Sequence, residues 1–123
     1  MSWIYVACGG AIGATLRYLL SVLLPFAGGF PWATWLANII GCFLAGMFLA
    51  VSEKFTALNP DWRLFLVVGI LGGFTTFSSF SLETIAMLRQ QLYVLAASYI
   101  LSSLLLGLVS VFIGYIILKT ILY

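Results

Sequence analysis

A stretch of twelve residues in the middle of the chain, "GGFTTFSSFSLE" from Gly72 to Glu83, interrupts an otherwise apolar segment. It combines three phenylalanines, spaced three apart, with five hydroxyl residues. Hydroxyl groups donate hydrogen bonds, and the edge of a phenyl ring carries partial positive charge. Groups of both kinds can face a small anion, so this stretch is the first candidate for binding chemistry. Its hydroxyl residues are Thr75, Thr76, Ser78, Ser79 and Ser81.

Two of the phenylalanines stand out because of their spacing. Phe77 and Phe80 are three residues apart, which puts their rings on one face of a helix together with Ser81. Ring edges directed into a narrow path could solvate an anion. A second interpretation stays open, in which the segment is a glycine-kinked packing helix whose hydroxyls donate to carbonyls four residues earlier. Periodicity alone does not separate the two.

The same stretch also predicts a break in the helix. Gly72, Gly73 and two successive threonines fall at the midpoint of a span, where they weaken a helix that no water can support. A helix broken at the membrane midplane is tolerated where its freed carbonyls and amides find partners, and a bound ion is a usual partner. We therefore expect the third span to be broken there, beside an ion.

Composition predicts the elements that hold this stretch. Hydrophobic residues make up 64% of the 123 residues and charged residues 7%, so the chain is expected to be an all-α integral membrane protein. At roughly 20 residues per crossing it has room for about four transmembrane helices. Gly, Pro and charged residues divide it into spans at about 3–24, 32–51, 62–88 and 93–118, which form a single four-helix transmembrane domain. The N-terminal run lacks a cleavage site, so we interpret it as a retained span of a multi-pass cell-membrane protein.

The distribution of basic residues gives only a weak signal for orientation. Lys54, Arg63 and Lys119 fall on one predicted side and Arg89 on the other, while Arg17 lies inside the first span. Because the bias is small, dual topology is expected, with an antiparallel homodimer around a two-fold axis in the membrane plane. The net charge of +2 gives no argument for a nucleic-acid partner.

Two polar side chains lie within the predicted spans and each has two interpretations. Arg17 either extends its side chain to the interface or forms an electropositive vestibule that concentrates an anion. Asn38 either joins two helices or lines a wet path, and the polar stretch of the third span favours the second interpretation. Beside it, Ala37, Gly41 and Ala45 form a small-residue face typical of close helix contacts.

The central motif, together with "GGAIGATLRY" in the first span and "NIIGCFLAG" in the second, resembles the Fluc (CrcB) family of small fluoride channels. The resemblance covers essentially the whole chain. It implies an antiparallel dual-topology homodimer with two parallel pores that export fluoride passively, and a structural sodium ion at the dimer centre. The implied partners are thus the fluoride ion, a second copy of the chain and the lipid bilayer.

The resemblance also implies roles for individual residues. Phe77 and Phe80 match the paired phenylalanines along the pore, and Asn38 matches the pore asparagine of the second span. Gly72 and Thr75 match the positions whose backbone carbonyls hold the central sodium. The other matches are Arg17 in the first span, Glu83 near the pore mouth, and the polar track of Ser78, Ser79 and Ser81.

In the fourth span the family has a tyrosine and serines along the pore. The segment "ASYILSSLLLGLVS" offers Tyr99, Ser102, Ser103 and Ser110, of which Tyr99, Ser103 and Ser110 are assigned to the fluoride pathway. Gly107 stands where the resemblance leads us to expect a hydroxyl.

Two other classes of protein are alternatives to the channel. A proton-coupled cation exporter of the small multidrug-resistance type needs a carboxylate deep in the membrane, and Glu83 is predicted near one end of the third span. A non-conducting assembly subunit explains the small-residue faces and leaves the phenylalanines and hydroxyls unexplained. The sequence contains no histidine and no evident pairing of nucleophile and base, so an enzyme is not expected.

Overall fold

The protein is all-helical in a computed structural model that describes residues 1–26 and 28–123. Four helical segments are long and apolar enough to cross a membrane. We refer to them as the first to fourth spans, in chain order: Ser2–Leu23, Trp32–Lys54, Pro60–Arg89 and Tyr93–Leu122. The predicted all-α architecture with four candidate membrane helices is confirmed.

The third span is not a uniform helix. It begins with an α-helical turn, Pro60–Arg63, continues as the π-helix Leu64–Leu71, and returns to α-helix over Gly72–Phe74. After two residues with extended backbone it resumes as the α-helix Phe77–Arg89. We call residues 60–74 its first half and Phe77–Arg89 its second half.

The extended residues are the two threonines rather than the two glycines. Thr75 has φ −84° and ψ 154°, and Thr76 has φ −152° and ψ 117°. β-Branched side chains favour such extended conformations. Thr76 also starts the second half, because its hydroxyl accepts a hydrogen bond from the Ser79 N–H at 3.1 Å. Gly72 remains helical.

The first span packs parallel to the first half of the third span through facing glycines. A side chain at Gly9 would collide with the Phe65 carbonyl and with Gly69, and one at Gly13 would collide with the Ile70 carbonyl. Small residues at these positions let the two backbones touch, which is the usual basis of tight helix packing in membranes. The first span is thereby held in one register against the third.

The second and fourth spans form another parallel pair. Their closest approach is at Gly46, which faces the Val111 carbonyl, and at Gly114, which faces the Phe43 carbonyl. The small-residue face predicted from spacing borders the third span instead, since a side chain at Gly41 would collide with the side chain of Thr75. The second span therefore contacts the fourth span with one set of small residues and the extended segment with another.

Large apolar side chains are mostly on the outside, as expected for a surface that faces lipid. The compact buried cluster consists of Met87, Ala96 and Tyr99. Phe30, from the connection between the first two spans, packs against this cluster, as do Trp35, Phe80 and Leu95. This cluster has an aromatic lining and lies beside the second half of the third span.

Candidate functional site

Asn38 binds the backbone of the extended segment with both ends of its amide. Its Nδ2 donates to the Thr76 carbonyl at 3.1 Å, and the Thr76 N–H donates to Asn38 Oδ1 at 2.8 Å. One side chain thus pairs with both backbone groups of a residue that lies outside the helix. This arrangement explains locally why the chain tolerates extended residues at Thr75 and Thr76.

An open cavity of about 400 Å³ lies beside this contact, between the second, third and fourth spans. Asn38, Gly72, Thr75, Thr76 and Phe77 contribute to its lining. Asn38 therefore joins the second span to the third and also lines this cavity, and its place in a wet path stays a prediction.

The backbone carbonyls of Gly72 and Thr75 have no hydrogen-bond donor within residues 1–26 and 28–123. The Thr76 N–H, which would reach Gly72 in a continuous helix, bonds to Asn38, and the Ser79 N–H bonds to the Thr76 hydroxyl. Both carbonyl-bearing residues line the open cavity. Unpaired carbonyls at the end of a helix are suited to a cation.

Glu83 is the centre of a second polar cluster. Its Oε1 accepts a hydrogen bond from the Thr34 hydroxyl at 2.7 Å, and its Oε2 accepts one from the Tyr99 hydroxyl at 2.7 Å. Tyr99 is fully buried and Thr34 is buried. Sequence reasoning missed Thr34, although it lies four residues before Asn38 and so shares a face of the second span with it.

A row of three aromatic rings leads to this carboxylate. The ring centroids of Phe77 and Phe80 are 5.7 Å apart, and those of Phe80 and Tyr99 are 5.0 Å apart. Phe77 is 78% exposed whereas Tyr99 is 0% exposed. The row therefore runs from the surface of the chain to its most buried aromatic side chain, and the Tyr99 hydroxyl continues it to Glu83.

Arg17 reaches the third span from the first. Its Nε donates to the Gly73 carbonyl at 3.1 Å, and its side chain is partly buried. A second cavity, of about 370 Å³, is lined by Arg17 together with Thr34, Ser79 and Glu83. The arginine is thus bonded to the backbone just before the extended residues, on the side where the carboxylate cluster lies.

The hydroxyls of the central motif behave in two ways. Thr75 and Ser81 donate to carbonyls four residues earlier, to Leu71 at 2.8 Å and to Phe77 at 2.9 Å, as the packing-helix interpretation describes. The Ser78 and Thr76 hydroxyls instead bond to each other at 3.2 Å. Some hydroxyls of the motif are therefore bonded to the backbone of their own span, whereas others are bonded to neighbouring side chains.

In the fourth span, neighbouring serines differ. Ser102 Oγ accepts a hydrogen bond from Trp35 Nε1 at 3.0 Å. Ser103 Oγ is buried and has no hydrogen-bond partner in the part of the chain that the structure describes. A buried hydroxyl without a partner is costly, so Ser103 keeps a donor that its own chain does not use among the described residues.

Further along the fourth span, Gly107 is buried and faces the second span. A Cβ at this position would lie 3.5 Å from Cys42 Sγ. The position where a hydroxyl was expected is therefore next to a thiol, which is a weak hydrogen-bond donor. Ser110 is half-buried, three residues further along.

Fold and site together define a small multi-pass membrane protein with polar groups gathered around two extended residues in its third span. The model of one family, described as "CrcB-like protein, Camphor Resistance (CrcB)", matches residues 4–115. The chain belongs to this family.

Curated relatives are similar over almost the whole chain. A protein of Thermus thermophilus named "Fluoride-specific ion channel FluC" is 48% identical over 115 residues, which are 92% of this chain and 91% of the relative. Proteins with the same name from Methylobacillus flagellatus and Oceanobacillus iheyensis are each 44% identical, over 93% and 89% of this chain and 91% and 84% of their own length.

Proposed function

We propose that the protein is a fluoride-selective ion channel that exports fluoride passively from the cytoplasm. Relatives with this named function cover the chain almost completely. The observation that carries the proposal within the molecule is the row from exposed Phe77 through Phe80 to buried Tyr99. One helical turn after Tyr99, the Ser103 hydroxyl has no hydrogen-bond partner among the described residues. Such a row offers many weak contacts to a small anion and no strong trap.

The chemistry of fluoride explains why these contacts are useful. The ion is small and tightly hydrated, so a path must replace water with other donors without holding the ion. Ring edges of Phe77 and Phe80, the Asn38 amide and the hydroxyls of Ser78, Ser79, Ser103 and Ser110 supply such donors, whereas the Ser81 hydroxyl donates to the Phe77 carbonyl. Fluoride enters cells as neutral hydrofluoric acid and dissociates inside. An inside-negative potential then drives the anion out with about 2.3 kcal/mol per charge per 100 mV.

Glu83 and Arg17 both line the last part of the proposed pathway. Both line the second cavity with Thr34 and Ser79, so an anion leaving the ring row would meet this polar chamber. Thr34 and Tyr99 bind both oxygens of the Glu83 carboxylate, which fixes its orientation beside the row. No step requires covalent chemistry, so the proposed role is transport rather than catalysis.

The functional unit is proposed to be an antiparallel dual-topology homodimer with two pores. In one chain Phe77 is 78% exposed, and the cavity beside Gly72 is open to the outside. Both features need a cover if an ion is to pass in isolation from lipid. A second copy inserted with the opposite orientation supplies that cover, and the small difference in basic residues between the two sides permits it.

A structural sodium ion is proposed at the centre of this dimer, on the Gly72 and Thr75 backbone carbonyls. The third span is proposed to be broken at the membrane midplane, with the extended residues Thr75 and Thr76 as the break. Support comes from the two carbonyls, which accept no hydrogen bond from residues 1–26 or 28–123. Two chains would bring four such oxygens together, and a bound cation offsets their repulsion.

The exporter alternative has no support from the comparisons, because the relatives are named as fluoride channels. The geometry of Glu83 also argues against it. A proton-coupled exporter needs a carboxylate that exchanges protons and cations freely, whereas both oxygens of Glu83 are bonded to hydroxyls.

Anion efflux from liposomes that contain the purified protein tests the proposed function. Fluoride is expected to leave rapidly once a potassium ionophore balances charge, while chloride is expected to stay. Equal efflux of fluoride and chloride would show that the channel is not selective for fluoride. If neither anion leaves the liposomes, the proposed channel function is wrong. Empty liposomes and liposomes with the Phe80→Ile variant are the controls.

Dual topology has a separate test in right-side-out vesicles. A single cysteine reporter at Ser2, introduced after Cys8 and Cys42 are replaced, is labelled with an impermeant reagent before and after the membrane is opened. We expect comparable labelling from the two sides. Labelling from one side only would contradict the antiparallel dimer, and with it the central sodium site.

A further inference from the structure

We propose that Arg17 is a positioning residue for the break in the third span, acting through its hydrogen bond to the Gly73 carbonyl rather than by attracting the anion. The inference rests on the proposed channel function. It assigns the first span a specific task in building the pathway, namely to fix the backbone that carries the Gly72 and Thr75 carbonyls.

The first step is the fate of the Gly73 carbonyl. In a continuous helix it would accept the N–H of Phe77, but the helix ends after Phe74 and resumes only at Phe77. Arg17 Nε replaces that donor at 3.1 Å. A guanidinium is well suited to this position, because the C-terminal end of a helix carries partial negative charge.

The second step is the way the first span places this donor. A side chain at Gly73 would collide with the Gly10 carbonyl, and one at Gly13 would come within 2.8 Å of the Phe74 nitrogen. The backbones are therefore in contact one turn before Arg17. Because of this contact the first span has little freedom to slide along the third. Arg17 Nε is therefore held next to the Gly73 carbonyl.

The third step is that Thr75 is held from both sides. Arg17 of the first span bonds to the Gly73 carbonyl before it, and Asn38 of the second span bonds to both backbone groups of Thr76 after it. Two side chains from different spans therefore define the backbone on each side of Thr75. With Gly73 and Thr76 fixed, the carbonyls of Gly72 and Thr75 keep their directions.

The competing account is electrostatic attraction of fluoride by the arginine, which also lines the cavity with Glu83. Substitution by lysine separates the two accounts. Lysine keeps the positive charge, but it has a methylene group at the position of Nε. Loss of function in Arg17→Lys is therefore expected for a positioning role and unexpected for attraction by charge.

The experiment compares the Arg17→Lys and Arg17→Gln variants with the wild type in the liposome assay, at low and high concentration of an impermeant salt. The matched controls are Arg89→Lys and Arg89→Gln, at an exposed arginine at the far end of the third span. A second measurement follows amide hydrogen exchange in peptides that cover residues 72–80 and, for reference, residues 93–110.

We expect both Arg17 variants to lose at least about tenfold in fluoride efflux, the size expected for a lost hydrogen bond to a charged group. The loss should be the same at both salt concentrations, since screening weakens attraction at a distance and spares a direct contact. Exchange should rise in residues 72–80 and stay unchanged in residues 93–110.

Wild-type efflux by Arg17→Lys, or a loss in Arg17→Gln that shrinks as salt is raised, would overturn the positioning role. Unchanged exchange in residues 72–80, or a rise in both peptides, would overturn it as well. Absence of fluoride efflux from the wild type would instead refute the proposed function. In that case the exchange measurement alone decides whether Arg17 holds the break.

Discussion

Two polar regions of the molecule differ in what their side chains bind. Around the extended residues of the third span, Arg17 and Asn38 bond to backbone groups. Along the ring row and its end at Glu83, hydroxyls bond to a side-chain carboxylate, and Ser103 has no partner within the described residues. The first region therefore determines backbone shape, whereas the second contains the polar groups of the proposed fluoride pathway.

This difference predicts how variants should behave. Changes around the extended residues Thr75 and Thr76 are expected to lower stability and flux together, because the backbone there depends on side-chain donors. Changes along the row are expected to lower flux while the folded protein remains. The three predictions that follow test this division, from the largest expected effect to the smallest.

The largest effect on flux is expected from the rings. Phe77→Ile and Phe80→Ile keep an apolar side chain of similar bulk but remove the polarised ring edge. We expect fluoride efflux to fall by at least about tenfold, equivalent to about 1.4 kcal/mol in the barrier, with the proposed dimer still formed. Efflux from liposomes and size-exclusion chromatography in detergent are the two measurements.

Phe112→Ile is the matched control for the ring variants, because Phe112 is 63% exposed on the fourth span and outside the row. Its efflux should equal that of the wild type. Wild-type efflux in both Phe77→Ile and Phe80→Ile would refute the role of the ring edges. Loss of the proposed dimer in either variant would show that the ring stabilises the folded assembly rather than the passing ion.

An intermediate effect on flux, together with a loss of stability, is expected at Asn38. Asn38→Ser leaves the Thr76 carbonyl and N–H without their partner, and an unpaired buried group costs about 1–3 kcal/mol. Asn38→Asp keeps an acceptor for the N–H and loses the donor. We expect both variants to lower the melting temperature and to impair efflux more than Cys42→Ala does.

Cys42 is the appropriate control because it lies one turn further along the same helix and lines the same cavity. If efflux is equally tolerant of change at Asn38 and Cys42, the amide only joins helices and the pathway runs elsewhere. A large loss of efflux with an unchanged melting temperature would show that Asn38 acts on the passing ion rather than on the backbone of Thr76.

Structural features that depend on residues close together in the sequence were predicted well. Hydropathy and helix-breaking residues indicated four spans, and the spacing of Phe77 and Phe80 indicated neighbouring rings, which the structure has at 5.7 Å. The "GGFTT" segment marked the region of irregular backbone, although spacing alone did not show which residues are extended. That choice depends on Asn38, which bonds to Thr76 from another span.

Contacts between distant parts of the chain were beyond sequence reasoning. Arg17 and its acceptor Gly73 are 56 residues apart, and Thr34 and Glu83 are 49 residues apart. A threonine in an apolar helix usually donates to a carbonyl of its own helix, as Thr84 does to Phe80. Thr34 gave no sign of a different partner except its place on the same face as Asn38.

The smallest and most specific effect is expected at two adjacent serines of the fourth span. Ser103→Ala removes a buried hydroxyl that has no partner in the described structure, so stability should be unchanged or slightly higher. If this hydroxyl meets the passing anion, efflux should fall about twofold to tenfold, the size expected for one ordinary hydrogen bond.

Ser102→Ala should behave in the opposite way, since it leaves the Trp35 indole N–H without its acceptor. We expect a lower melting temperature, by an amount equivalent to about 1 kcal/mol, with efflux close to that of the wild type. Thermal unfolding and liposome efflux on the two variants form a crossed pair. A stability loss in Ser103→Ala would show that its hydroxyl has a structural partner. Ser103 would then belong with the residues that shape the backbone, and the proposed distinction between the two polar regions would fail at this position.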